Sequence, residues 1–225
     1  MEFQRINNLD VIVKNKEGQK AVVLLHGYGA DFRDLVPVVD FISGQAAFTW
    51  YFPNGVMDLP PEYGGVGRAW FEIDLFALQR AVINRDFKSY FDDHVPVGFQ
   101  RSRDLVTSLL EELSQRHDEV ILGGFSQGAM ISVHVALGQN SYQPKRAIFL
   151  SGALPAKKEL RLKEQLELSV FQSHGTQDMT LPVDLGRGLK EFLVETNINV
   201  SYHEFMGAHE IPVDIIKKLG QFLIQ

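Results

Sequence analysis

The sequence predicts an α/β domain with a mostly parallel central sheet flanked by helices on both faces. Short runs of β-branched and aromatic residues alternate along the chain with stretches whose apolar positions recur three and four apart. Most of those runs are continuously apolar, the pattern of strands covered on both faces. The 225 residues are 45% apolar, 22% charged and 11% aromatic, which suits one domain, 1–225, with a large core.

The elements follow in chain order. Residues 11–13 are expected to open the domain in an antiparallel pair. The core strands are expected at 19–25 (QKAVVLL), 47–52 (AFTWYF), 119–122 (EVIL), 145–150 (KRAIFL) and 169–173 (SVFQS). Residues 199–205 (NVSYHEF) alternate more and belong nearer the sheet edge. Helices are expected over 32–42, 99–116, 127–137, 185–195 and 213–224.

Composition narrows the function. The net charge of −6 is spread without a basic block, so nucleic acid and anionic membrane are set aside as partners. Zero cysteines exclude disulfides, thiolate metal sites and cysteine nucleophiles. The N-terminal MEFQRINNLD carries charges and no apolar stretch of a signal peptide, and AVVLL at 21–25 is far too short to span a bilayer. The expectation is a cytoplasmic chain with no stable membrane insertion.

In open α/β sheets the loops at the carboxyl ends of the strands converge on one crevice. Four stretches occupy that position: HGYGAD, GGFSQG, SGALP and HGTQD. Ser126 is the centre of a GxSxG pentad between a strand signal, EVILGG, and a helix signal, QGAMISVHVAL. A nucleophilic serine needs this junction, because a sharp strained turn there lifts the hydroxyl out at a helix N-terminus. Gly124 and Gly128 let neighbouring backbone pack close. The alternative is a serine that merely caps the helix.

A serine hydroxyl needs a base, and the base needs an orienting acceptor. Asp178, after the fifth core strand, and His209, after the edge strand, follow Ser126 in the order that such an elbow requires. The alternatives are a turn-forming aspartate and a helix-entry histidine. His203 falls inside a strand. His26 and His174 precede glycine at strand ends and are expected to bond backbone and shape their loops; His94, His117 and His134 are assigned to surface or helix. No histidine pair has the spacing of a zinc helix motif, so no metal is expected.

An oxyanion would be bound by two N–H groups, those of Gln127, which follows the serine, and Tyr28 in the glycine-rich HGYGA loop. The same loop lacks the third glycine of a dinucleotide fingerprint and the lysine of a P-loop, which argues against a nucleotide.

LLHGYGAD, RAWFEI, GGFSQGAM, SGALP, HGTQD and GAHEI, in this order, resemble the carboxylesterase, lysophospholipase and acyl-protein thioesterase family of α/β hydrolases from about Ala21 to the C-terminus. The resemblance implies an α/β-hydrolase fold, a triad of Ser126, Asp178 and His209, and oxyanion donors at Tyr28 and Gln127. It also implies Arg68 and Trp70 beside the active-site cleft, and hydrolysis of acyl esters or thioesters with no cofactor. Phe71 and Met179 join Arg68 and Trp70 as candidate substrate-binding residues. Tyr28 stands where leucine is usual in the family, and Thr180 and Leu181 replace two valines.

Residues 71–97 fall where such folds insert a lid or pocket wall. Phe71, Ile73, Leu75, Phe76, Leu78, Val82 and Ile83 are candidate linings of an acyl channel with Trp70, or a cover for the core. The expected partner is a small ester or lipid substrate, with a homodimer left open. Two functions compete: a cofactor-independent serine hydrolase, and a non-catalytic binding or receptor protein on the same fold.

Overall fold

The computed structural model describes residues 1–59, 67–84, 86, 90–91, 95–164 and 166–225. The strands are β1 (Glu2–Ile6), β2 (Leu9–Lys14), β3 (Lys20–Leu25), β4 (Phe48–Pro53), β5 (Met57–Asp58), β6 (Arg68–Ala69), β7 (Glu119–Phe125), β8 (Arg146–Leu150), β9 (Ser169–Gly175) and β10 (Asn199–Phe205). The α-helices are α1 (Leu75–Asn84), α2 (Phe99–Ser114), α3 (Gln127–Leu137), α4 (Val183–Glu195) and α5 (Val213–Leu223).

The main sheet runs in the order β1-β2-β4-β3-β7-β8-β9-β10. β1 and β2 pair antiparallel, as do β2 and β4; every pair from β4 to β10 is parallel. β10 is an edge strand, which its alternating pattern had suggested. β5 and β6 form a separate two-stranded ribbon.

The strands are continuously apolar because the sheet is covered twice. Along β3, Ala21, Val23 and Leu25 face one layer with Val106, Leu109, Leu110 and Leu113 of α2 and Ile131 of α3. Val22 and Leu24 face the other, with Ile215, Ile216 and Leu219 of α5. These five residues of β3 are at most 2% exposed, and burial of each valine or leucine contributes about 1.5–3 kcal/mol. α3 is buried on every side, so its N-terminus is held from all directions.

One expected helix is absent. Residues 32–42 form turns and a short 3-10 helix, Pro37–Phe41. Pro37 has no N–H to donate and its ring excludes the preceding turn, so it begins a helix and cannot lie inside one. Of the 71–97 segment, α1 is a regular helix; residues 85, 87–89 and 92–94, His94 included, lie outside the described residues, as do the side chains of Leu75 and Val82. Among the described residues no helix is long and apolar enough to cross a membrane.

Candidate active site

Ser126 sits between β7 and α3 with φ 54° and ψ −117°, a strained backbone for a residue with a side chain. The flanking glycines explain how the turn closes. A Cβ at Gly124 would overlap the Gly128 carbonyl carbon, and one at Gly128 would overlap the Leu25 carbonyl of β3. Ser126 makes no side-chain cap to α3, so the capping alternative finds no support. Its N–H is held by the Leu150 carbonyl at 2.9 Å, and its Oγ lies 2.8 Å from His209 Nε2.

His209 Nδ1 lies 2.6 Å from Asp178 Oδ2. A carboxylate can only accept, so Nδ1 carries the proton and Nε2 is left to accept from the serine. The Asp178 side chain is wholly buried. Its Oδ1 accepts the N–H groups of Thr180 at 2.9 Å and Leu181 at 2.8 Å. The turn-forming reading and the histidine-orienting reading therefore both hold, one on each oxygen. Burial pushes the Asp178 carboxyl up, but hydrogen bonds from His209 and Leu181 with the two neighbouring imidazoles outweigh it, and its pKa lies below the ordinary value. The two loops are tied directly: Gln177 N–H donates to Gly207 O at 2.9 Å.

The second imidazole is His174, which the sequence did not mark as part of the site. It is fully buried, donates from Nε2 to Leu181 O at 2.7 Å and lies 3.5 Å from Asp178 Oδ2. Its i, i+4 spacing from Asp178 was the available signal. Burial lowers its pKa, which keeps the ring neutral. His26 also bonds backbone as expected: Nε2 accepts from Gly55 N–H at 2.9 Å, so Nδ1 donates to Gly27 O at 2.7 Å. His134 is on a helix but buried, and the surface placement given as one option is corrected.

The HGYGA loop borders the serine. A Cβ at Gly27 would lie 3.4 Å from Ser126 Cβ, and Tyr28, half-buried, is next in the chain. Gln127 is the first residue of α3, where the helix leaves N–H groups without intrahelical acceptors.

The substrate-binding candidates separate into two groups. Trp70 is 0% exposed and its Nε1 donates to His26 O at 2.9 Å, so it offers a ligand no surface. The Arg68 guanidinium donates to Gly55 O at 2.8 Å and pairs with Asp58. Both residues hold loops; for the fully buried Trp70 this corrects the assignment as a substrate contact, whereas the Arg68 side chain stays partly exposed. Met179 is exposed beside Asp178. Phe71, Ile73 and Leu78 line an apolar cavity of about 30 Å³ with Met130 and Leu181 among its other walls. Met130 lies one turn along α3 from Ser126 and the Leu181 N–H bonds Asp178, so two of the cavity walls belong to the segments that carry the triad. Phe76 and Ile83 are 77% and 73% exposed and do not line it.

A serine held by an imidazole that is itself held by a buried carboxylate can attack an acyl carbonyl. The sequence matches the Phospholipase/Carboxylesterase family over residues 6–225. It is 29% identical over 236 residues to acyl-protein thioesterase 1 of Debaryomyces hansenii, covering 98% of this chain and 97% of that protein. It is 26% identical over 224 residues to acyl-protein thioesterase 1 homolog 1 of Dictyostelium discoideum, covering 92% and 94%. In fold it resembles the crystal structure of esterase PE8, with a TM-score of 0.76 at 24% identity over 96% of this chain and 98% of that one. With its α/β-hydrolase fold, the chain belongs to the Phospholipase/Carboxylesterase family.

Proposed function

We propose that this chain hydrolyses carboxylic esters or thioesters through an acyl-enzyme on Ser126. The observation that carries the reading is His209, bridging Ser126 Oγ at 2.8 Å and the buried Asp178 at 2.6 Å. His209 Nε2 takes the Ser126 proton as the hydroxyl attacks the acyl carbonyl, and Asp178 stabilises the resulting imidazolium. The N–H groups of Tyr28 and Gln127 receive the oxyanion. The imidazolium returns its proton to the leaving alcohol or thiol. Water then attacks the acyl-enzyme, with His209 again as base, and the acid leaves.

The acyl group enters the cavity bordered by Phe71, Ile73 and Leu78, so that part of the 71–97 insertion forms a pocket wall. Acyl-protein thioesterase relatives support including thioesters among the substrates.

The test is fluorophosphonate labelling of wild type and Ser126→Ala, followed by turnover of p-nitrophenyl esters from acetyl to palmitoyl. Labelling that vanishes in the variant, with turnover reduced by about 10⁴-fold or more, is the expected result. A folded wild type that takes no label would overturn the assignment.

A further inference from the structure

Two N–H groups that bind one oxyanion must converge within about half an ångström of a common point. Here they come from segments far apart in sequence, the Tyr28 loop and the start of α3. Something must hold those segments in register.

The Gln127 side chain reaches between them. It is 1% exposed. Its Oε1 accepts the Trp70 N–H at 2.8 Å and its Nε2 donates to the Phe71 carbonyl at 2.7 Å. The partners are one backbone donor and one backbone acceptor, so the orientation of the carboxamide is fixed by them. From there the path continues along residues 68–70. Trp70 Nε1 donates to His26 O at 2.9 Å. Arg68 O accepts the Gly29 N–H at 3.0 Å, and Arg68 N–H donates to Ala30 O at 2.7 Å. Tyr28 is thus flanked on both sides by residues bonded to the 68–70 segment, and that segment is bonded to the residue carrying the other oxyanion donor.

We propose that the Gln127 carboxamide is a positioning residue, a brace that sets the Tyr28 loop against the N-terminus of α3 so that both N–H groups meet one oxyanion. This rests on Ser126 being the nucleophile. A single planar group must supply a donor and an acceptor side by side, which among side chains of this length only glutamine does while uncharged, apart from a protonated glutamate. A brace of this kind acts on the transition state, where charge develops on the oxygen, and little on ground-state binding.

The protonated glutamate supplies the test. Gln127→Glu keeps the shape. Ionised, it can accept from Trp70 N–H but leaves Phe71 O without a donor; protonated, it regains both bonds. Burial raises the pKa of such a carboxyl, which brings its titration into a workable range. Gln127→Met keeps the length and removes both bonds at every pH. Other titratable rings near the brace stay neutral throughout: His26, against Trp70 with ring centroids 5.4 Å apart, and His134, edge-on to Phe99, both have pKa values lowered to about 4, chiefly by burial.

Turnover of p-nitrophenyl acetate would be measured from pH 5.5 to 8.5, each preparation normalised by fluorophosphonate titration of Ser126. For Gln127→Met the expected kcat is about a hundredfold below wild type, in the range set by loss of an aligned oxyanion donor, with KM within about twofold and a ratio independent of pH. For Gln127→Glu the deficit is expected to be large at pH 8.5 and to shrink as pH falls. A glutamate deficit that does not change with pH, or kcat within twofold of wild type in the glutamate variant at pH 8.5, would overturn the brace while leaving Ser126 as nucleophile. If the methionine variant does not fold, the glutamate profile decides alone. Wild type that is folded but takes no label would overturn the brace together with the proposed function.

Discussion

His209 Nε2 lies 2.8 Å from Ser126 Oγ, across 83 positions of sequence, while the other ring nitrogen meets Asp178. The ring can serve as a base only in the tautomer that Asp178 selects. Asp178 itself is doubly employed, one oxygen on His209 and the other on the turn N–H groups of Thr180 and Leu181.

This division separates two variants. Asp178→Asn can keep the turn with its carbonyl oxygen but presents an amide N–H to His209, forcing the wrong tautomer. The expected loss in kcat is about 10⁴-fold, with little change in melting temperature. Asp178→Ala should lose comparable activity and also destabilise the fold by about 1–3 kcal/mol, since two turn N–H groups lose their acceptor. Equal melting temperatures for the two variants would contradict the shared role.

Helix α4 offers a paired test of the His174 contact. A Cβ at Gly186 would overlap the His174 ring, whereas one at Gly188 meets nothing within 4 Å. Gly188→Ala should stabilise the protein by about 0.5–1 kcal/mol through helix propensity. Gly186→Ala should destabilise by about 1–3 kcal/mol through overpacking. It should also lower kcat, because the displaced ring carries the hydrogen bond to Leu181 O beside Asp178. Chemical denaturation and ester turnover of both variants check this.

Stability should fall on mild acidification. His26 and His134 have folded pKa values lowered from 6.5 to about 4, with burial the main cause. Between those limits the unfolded chain binds protons that the folded chain refuses. Each histidine therefore removes about 1.4 kcal/mol of stability per pH unit as pH drops from 6.5 towards 4, and none above 6.5. Denaturation midpoints at pH 7 and 5 measure the sum, and His134→Gln should flatten the slope by about one proton. An unchanged slope would show that His134 titrates normally.

Acyl size is the fourth expectation. A cavity of about 30 Å³ holds about two water-sized groups, so acetyl and propionyl esters should be turned over best. Leu78→Ala removes a wall residue and should raise kcat/KM for butyryl and hexanoyl esters by about tenfold, the worth of one or two methylenes. A chain-length optimum identical in wild type and variant would remove Leu78 from the acyl pocket.

The parallel sheet was legible because a strand covered on both faces needs a continuous apolar run, as residues 21–25 of β3 and 120–122 of β7 have. The elbow was legible for a similar reason: Gly124 and Gly128 record backbone contacts that exclude a side chain. Residues 32–42 misled, since apolar spacing alone ignores the missing N–H of Pro37. Trp70 misled as well. A large aromatic beside a cleft reads as a ligand contact, and only its burial and the bond from its Nε1 to His26 O identify it as a brace.

The sequence by itself determined the order of the parallel core strands, the elbow at Ser126 and the residue types able to serve it, because these depend on local periodicity and backbone sterics. Tertiary structure decided the rest: that His174 backs Asp178, that Gln127 meets Trp70 and Phe71, and that the apolar cavity is small. The Gln127 contacts and the cavity walls join residues whose separation along the chain leaves no periodic trace. They exist because parallel strands order the loops in space by sheet position, and sheet position differs from chain order.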